Sequence, residues 1–214
     1  MRAVLCRCWN ILMTNAIELT ELELDLLTEM FNLGVGKAAA SLSTMVKQEI
    51  TLSVPHIEFL SVAELAHKLG SDVTICSVSQ MLSGPFNAQS MLLFPQENSL
   101  EVVRQLLGAD LPEETIEELQ QEAYSEIGNI VLNACIGSFA EALNAEFKMD
   151  LPIFELSKPL DLLNVSENKN DTALFIRIDL TLSTSEITGY IAFLMGTLSL
   201  EQLKEVLSKM LSNL

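Results

Sequence analysis

The chain has 214 residues, which suits one large domain or two small ones, and 49% of them are hydrophobic, so it can bury a sizeable core without metal or disulfide cross-links. Its net charge of −17, from 29 acidic and 12 basic residues, argues against nucleic acid or an anionic membrane surface as the main partner. No apolar run approaches the roughly 18 residues of a membrane-spanning helix, so we expect a cytoplasmic protein without membrane insertion that binds another protein.

The first 17 residues are expected to be an N-terminal extension of the folded domain. The stretch up to Met13 is mildly basic and apolar, but it lacks the long apolar core and the cleavage site of a signal peptide. Two interpretations stay open: residues 1–12 are native, or Met13 is the natural start.

The four cysteines do not form the pattern of a disulfide framework. Cys6 and Cys8 lie in the N-terminal extension, without a second pair or a nearby histidine that would complete a metal site. Cys76 lies in a strand-like run and Cys135 in a helix-like run, so both are expected to be buried thiols in a reducing compartment.

The first half of the chain predicts helix, strand, short helix, hairpin and helix. Apolar residues at helical spacing, with acids crowded at the start, predict a long helix from Glu18 to Val46. Alternation from Ile50 to Val54 predicts a strand, and Pro55 either ends it or lies at a sheet edge. The other predicted elements are a short helix at 61–69 stopped by Gly70, strands at 72–82 and 87–94 joined by a loop at 83–85, and a helix at 100–107.

The second half repeats this plan after a linker at 109–112. A long helix is predicted from Glu113 to about Phe147, followed by a strand, a polar loop within 160–170, a hairpin and a last helix opened by Ser199. The hairpin strands are predicted at 174–182 and 188–195.

Two copies of one plan predict a single α/β domain of the α+β type with pseudo-two-fold symmetry. Neither half has enough strands to bury a good core, so we expect two long helices packed side by side on a mainly antiparallel sheet. This domain would span residues 18–214, with repeat one at 18–110 and repeat two at 111–214.

Each half also carries one polar pattern: an acid, then a glutamate, an asparagine and, after 22 further residues, a proline. The first copy is Asp25, Glu29, Asn32 and Pro55, and the second is Glu122, Glu126, Asn129 and Pro152. In a helix the first three positions fall within an arc of roughly 60°, so each trio lies on one face. A single Glu-x-x-Asn is usually a solvated face, but its repetition 97 residues later indicates a duplicated face that was kept.

These residue types limit the possible chemistry. An amide can orient an attacking water for in-line displacement at phosphorus, and a carboxylate can bind a cationic group of a partner. His56 and His67 each stand alone and are interpreted as non-catalytic, no metal-ligand spacing occurs, and Gly34-x-Gly36 is explained better by helix packing than by phosphate binding. The trios bring no cation or Lewis acid, so the substrate would have to supply the missing groups.

The duplicated pattern resembles the motif of the CheC/CheX/FliY phosphatase family: Asp or Ser, three residues, Glu, two residues, Asn, 22 residues, Pro. The first copy matches fully, and the second departs from the motif at Glu122. The runs Asn32-Leu-Gly-Val-Gly36 and Glu126-Ile-Gly-Asn-Ile130 are also similar to the family. The resemblance covers roughly residue 19 to the C-terminus, and the presence of two motifs is most like CheC.

The resemblance implies an enzyme that hydrolyses the phospho-aspartate of a CheY-like response-regulator receiver domain in chemotaxis. Glu29 or Glu126 would contact the receiver's lysine, and Asn32 or Asn129 would position the water. Asp25, Glu122, Pro55 and Pro152 would have supporting roles. The receiver would supply Mg²⁺, and this chain would bind no cofactor.

An alternative from a different functional class stays open. CheC proteins also resemble adaptors, so this chain could be a catalytically weak module that binds a receiver or the receptor deamidase CheD. Measuring phosphate release from a phosphorylated receiver distinguishes this alternative from a phosphatase.

Overall fold

The computed structural model describes residues 19–97, 102–104, 112–168, 170–182 and 185–212. Within them, the helices are α1 (Glu21–Val46), α2 (Val62–Leu69), α3 (Glu113–Leu143), α4 (Pro159–Leu162) and α5 (Thr197–Ser212). The strands are β1 (Ile50–Ser61), β2 (Ile75–Ser83), β3 (Ala88–Pro95), β4 (Lys148–Met149), β5 (Ile153–Ser157), β6 (Thr172–Leu182) and β7 (Ser185–Met195). Residues 102–104 are helical, as predicted, while the extension 1–17 with Cys6 and Cys8, the rest of the helix at 100–107 and most of the linker lie outside the described residues.

The long helices begin and end at residues whose chemistry explains the boundary. Thr20 caps α1 in a capping box, in which its hydroxyl accepts from the Glu23 N–H and the Glu23 carboxylate accepts from the Thr20 N–H. Lys47 after α1 and Asn144 after α3 both adopt the left-handed conformation, with φ of 56° and 47°, and they are again 97 residues apart. The prediction that α3 reaches Phe147 was therefore wrong, because the helix ends at a left-handed asparagine.

Strand β1 runs through Pro55 instead of ending there. Its register against β6 shifts between Ser53 and His56, and β1 lies at one end of the sheet order. A proline lacks the N–H that a regular ladder needs, so an irregular register on an outer strand accommodates it. The expected edge position is confirmed, and the expected strand end is not.

The described strands form one seven-stranded sheet, with antiparallel pairing at every described ladder. Its order is β1-β6-β7-β3-β2-β4, with β5 also paired to β2. If each strand is exchanged for its counterpart in the other half, with β4 and β5 together matching β1, the same order results when it is read from the opposite end of the sheet. The predicted antiparallel sheet is confirmed, and the order has the symmetry expected of a duplicated plan, although exact pseudo-two-fold symmetry in space stays a prediction.

Helices cover both faces of the sheet. The larger apolar cluster joins one face to α1, α3 and α5, and a smaller cluster joins the other face to α2 and α4. Strand β6 alternates between them, because Leu174 and Ile176 belong to the first cluster while Ala173 and Phe175 belong to the second. The two long helices therefore lie together on one face, as predicted.

The region after β5 differs from the prediction of a polar loop. Residues 159–162 form the short helix α4, and Leu162 and Leu163 are buried with Leu65 of α2 in the smaller cluster. The polar residues that suggested a loop come after this turn of helix. Among the described helices, none has the length and apolar character needed to cross a bilayer.

Candidate functional site

The first trio lies on the exposed face of α1. Asp25, Glu29 and Asn32 are all exposed, and within the described chain their side chains make no hydrogen bond or ion pair. Exposed Leu22 and Leu33 flank them on the same helix. This trio therefore presents two carboxylates and an amide to solvent, beside apolar side chains that a partner could cover.

The second trio borders a groove between α1 and α3. Glu122 and Glu126 are exposed, Asn129 is half-buried, and the groove has a volume of about 630 Å³. Its lining comes from the end of α1, the first half of α3 and the segment between β4 and β5: Met45, Val46, Leu119, Glu122, Ala123, Ser125, Glu126, Ile127, Asn129, Leu151 and Pro152. The structure thus brings together all four residues predicted for the second site, including Pro152.

Apolar side chains form much of the rim of this groove. Leu151 is 86% exposed, Met45 is 43% exposed, and Ile153 lies exposed just beyond Pro152. Large exposed apolar side chains next to a groove are typical of a protein-docking surface. For the first trio, Pro55 lies in β1.

Asn129 is held by two other amides. Its Oδ1 accepts a hydrogen bond from Nδ2 of Asn133, one turn further along α3, at 2.6 Å. The same Oδ1 accepts a longer hydrogen bond of 3.5 Å from Nε2 of Gln80 in β2. This Nε2 also donates to the carbonyl oxygen of Asp150, at 3.1 Å. Gln80 therefore links the catalytic candidate on α3 to the segment that carries Pro152.

A glycine next to Asn129 allows this contact. A Cβ placed on Gly128 would lie 2.4 Å from Cγ1 of Val78 in β2, so α3 packs against the strand more closely than any larger residue permits. Val78 and Gln80 are two residues apart and face the same side of the sheet. The close packing at Gly128 thus places Asn129 within reach of Gln80.

The remaining titratable candidates lie away from the trios or do not form a site. His56 lies in β1 with Nε2 3.8 Å from Oε1 of Glu58, and His67 is exposed in the last turn of α2. Across the described residues, no group of three histidine, cysteine or acidic side chains could hold a metal ion. Cys76 and Cys135 are free, buried thiols, as predicted. Burial raises the pKa of each thiol to about 12, so both are unreactive at neutral pH.

Sequence reasoning missed Gln80, Asn133 and the apolar rim of the groove. Asn133 is four residues after Asn129 and so lies on the same helix face, which helical spacing alone shows. Gln80 is the polar member of an otherwise apolar alternation with Val78 and Leu82, a signal that a buried polar group has a partner. The partner's identity depends on how α3 packs on β2.

No family model matches the chain. Two curated relatives from Bacillus subtilis strain 168 are similar to it. The CheY-P phosphatase CheC is 25% identical over 138 residues, covering 62% of this chain and 65% of CheC. The flagellar motor switch phosphatase FliY is 21% identical over 178 residues, covering 79% of this chain and 45% of FliY. The chain thus spans less than two thirds of the length of either relative.

Two solved structures have a similar fold. Thermotoga maritima FliY superposes with a TM-score of 0.73 at 18% identity, covering 90% of this chain and 98% of FliY. The middle domain of Vibrio alginolyticus FliM superposes with a TM-score of 0.59 at 14% identity, covering 86% of this chain and 99% of that domain.

By sequence the chain is similar to CheC and FliY, and its fold is similar to that of FliY. The duplicated sequence motif falls on α1 and α3, and both of its glutamates and Asn32 are exposed on these helices. Glu122, which departs from the motif, is exposed beside Glu126 and lines the same groove. A shared fold alone does not establish hydrolysis, so the duplicated polar trios carry the functional argument.

Proposed function

We propose that this chain is a cytoplasmic phosphatase that hydrolyses the phospho-aspartate of a CheY-like receiver domain. The observation that carries the proposal is the exposure of the acidic residues of both polar trios, whose carboxylates make no ion pair within the described chain. Such groups are available to a partner. The similarity to a CheY-P phosphatase and to a flagellar motor switch phosphatase supports the same activity.

In this proposal the asparagine of either trio holds a water in line with the bond between phosphorus and the receiver's aspartate. The water oxygen forms a new bond to phosphorus, and the bond to the aspartate oxygen breaks, so the aspartate leaves as a carboxylate. The proton of the water leaves with the inorganic phosphate. No covalent intermediate on this chain is required.

The glutamates provide recognition. Glu29 or Glu126 accepts a charge-assisted hydrogen bond from the receiver's active-site lysine, which places the adjacent asparagine at the phosphoryl group. The receiver contributes Mg²⁺, which neutralises charge on the phosphoryl oxygens. Asp25 and Glu122, one turn before these glutamates, orient them or contact the receiver.

The test is phosphate release from a phosphorylated receiver by the wild type, Asn32→Ala, Asn129→Ala and the double variant. If both sites work, each single variant retains part of the activity and the double variant loses nearly all of it. Receivers from the same organism are the substrates, and binding is measured in parallel. A wild type that leaves the spontaneous rate unchanged would refute the phosphatase proposal.

The binding-module alternative rests on the apolar rim of the groove, since Leu151, Met45 and Ile153 form an exposed surface that a partner could cover whether or not hydrolysis follows. Under that alternative, the chain binds the phosphorylated receiver, or CheD, without accelerating hydrolysis. The same assay separates the two functions, because binding persists while the rate of phosphate release stays at the spontaneous value.

A further inference from the structure

The two trios differ in how their asparagines are held. Asn129 accepts hydrogen bonds from Asn133 and Gln80, whereas no hydrogen bond involves the side chain of Asn32 in the described structure. Asn129 is also half-buried, while Asn32 is exposed. Similar motifs therefore lie in dissimilar surroundings.

The first difference comes from the helix. The repeat offset of 97 residues places Gly36 at the position that corresponds to Asn133. Glycine has no side chain that could donate to Asn32. By the same offset, Phe31 occupies the position that corresponds to Gly128. The Phe31 ring is buried, and its centroid lies 5.1 Å from the centroid of the Phe139 ring.

The second difference comes from the strand. Ser79 pairs with Ile153 in β5, and Arg177 pairs with His56 in β1. Since Ile153 and His56 are 97 residues apart, Ser79 corresponds to Arg177.

The next residue on each strand shows the consequence. Gln80 corresponds to Ile178, which is buried and has no polar atom to offer Asn32. Gln80 is itself only 3% exposed, and its Oε1 has no hydrogen-bond partner. An unsatisfied buried amide costs free energy, so retaining one at this position calls for a compensating role.

We propose that Gln80 and Asn133 are positioning residues that fix the side-chain amide of Asn129, an inference that rests on the proposed function of this site. Both contacts go to Oδ1, so the Nδ2 group is the one left to face the receiver. The second site is preorganised by this pair, and the first site holds its asparagine only when a receiver docks. Neither Gln80 nor Asn133 touches the reacting atoms.

The kinetic test isolates the second site in the Asn32→Ala background. Two substitutions are added to this background, one at a time. Asn133→Ala places a good helix former on an exposed position, and Gln80→Met keeps the approximate shape of the buried side chain. Each substitution lets the Asn129 side chain rotate more freely, so kcat should fall roughly two- to tenfold while KM for the phosphorylated receiver stays unchanged. Gln121→Ala, which removes an exposed amide from the same helix, is the matched control and should leave kcat unchanged.

A second readout does not depend on catalysis. The side-chain amide resonances of Asn129, assigned by their loss in Asn129→Ala, should shift in Asn133→Ala and in Gln80→Met but stay in place in Gln121→Ala. If the wild type shows no phosphatase activity but these resonances shift, the proposed function fails and the positioning stands. Unchanged resonances, or a kcat in both variants equal to or above that of the Gln121→Ala control, would overturn the positioning role.

Discussion

Gly34 of α1 lies so close to Cys135 of α3 that a Cβ on the glycine would be 2.6 Å from the Cα of the cysteine. The neighbouring Gly36 has open space at the same position, with no atom within 4 Å. The interpretation that packing explains this glycine pair therefore holds for Gly34 and was wrong for Gly36. The two long helices therefore approach each other closely at Gly34, where the backbone of Cys135 leaves no room for a side chain.

Replacing these two glycines by alanine should have opposite effects on stability. Gly34→Ala introduces a clash with backbone that cannot move aside easily, so it should lower the free energy of unfolding by about 1–3 kcal/mol. Gly36→Ala should raise it by about 0.5–1 kcal/mol, because alanine loses less conformational entropy in a helix. Urea unfolding followed by circular dichroism measures both. Equal effects of the two substitutions would contradict the close contact at Gly34.

The buried Glu23 should make stability depend on pH. Its carboxylate accepts hydrogen bonds from the hydroxyl of Ser208 in α5 and from the backbone and hydroxyl of Thr20, and it is only 3% exposed. The bond from Ser208, followed by the contacts with Thr20, lowers the pKa of Glu23 below its ordinary value of 4.5. A lowered pKa in the folded state stabilises the fold above pH 4.5, and this stabilisation is lost as the pH falls through the folded-state pKa.

Glu23→Gln should therefore destabilise the protein at pH 7 by about 1.5–3 kcal/mol, the range for a lost hydrogen bond to a charged group. The difference from the wild type should shrink as the pH falls below 4.5, where the unfolded-state carboxylate takes up a proton, and it should be lost below the lower folded-state pKa, where the native carboxylate is also protonated. Exposed Glu21, in the same first turn, is the control, and Glu21→Gln should change stability by about 0.5 kcal/mol or less. A pH-independent difference between wild type and Glu23→Gln would contradict the role of the ionised carboxylate.

The buried thiols should be protected in the native state. With pKa values of about 12, Cys76 and Cys135 carry almost no thiolate at pH 8, and both are buried. In a Cys6→Ser, Cys8→Ser variant, a thiol-specific reagent should label the native protein slowly and label both remaining thiols rapidly in guanidinium. Rapid native labelling at pH 8 would show that one of these sites opens or is exposed.

The features that local spacing determines could be predicted from the sequence. The exposed trios on α1 and α3 follow from helical phase, and the hairpin strands follow from alternation. The cap of α1 was also readable, since Thr20-x-x-Glu23 is a capping-box pattern, although the prediction placed the start at Glu18. These signals need only neighbouring residues.

The features that depend on packing between distant elements could not be predicted. Gln80 contacts Asn129 only because Gly128 lets α3 approach β2 closely. The distance between α3 and β2 cannot be predicted from the residue pattern of either element alone. Strand β1 continues past Pro55 because the register against β6 shifts there, which depends on a partner more than 100 residues away. The part of the asymmetry that comes from Gln80 is thus a tertiary property, while the part that comes from Asn133 and Gly36 is visible in the sequence.

Removing the charge of the motif glutamates should weaken receiver binding more than it slows chemistry. Each glutamate is tested with the other site inactivated: Glu29→Gln in the Asn129→Ala background, and Glu126→Gln in the Asn32→Ala background. Each substitution removes a charge-assisted contact with the receiver's lysine. KM should rise roughly tenfold, the effect of a lost hydrogen bond to a charged group, and its dependence on salt should decrease.

The matched control for these variants is Glu118→Gln, which removes an exposed charge from α3 outside the trio and the groove. It makes the net charge less negative by the same amount, so it measures the general electrostatic contribution of an acidic surface. If Glu118→Gln raises KM as much as Glu126→Gln does, the glutamates act only through overall charge, and the specific contact with a lysine is refuted. If Glu29→Gln lowers kcat without changing KM, the carboxylate acts in the transition state instead, because an interaction made only there changes kcat alone.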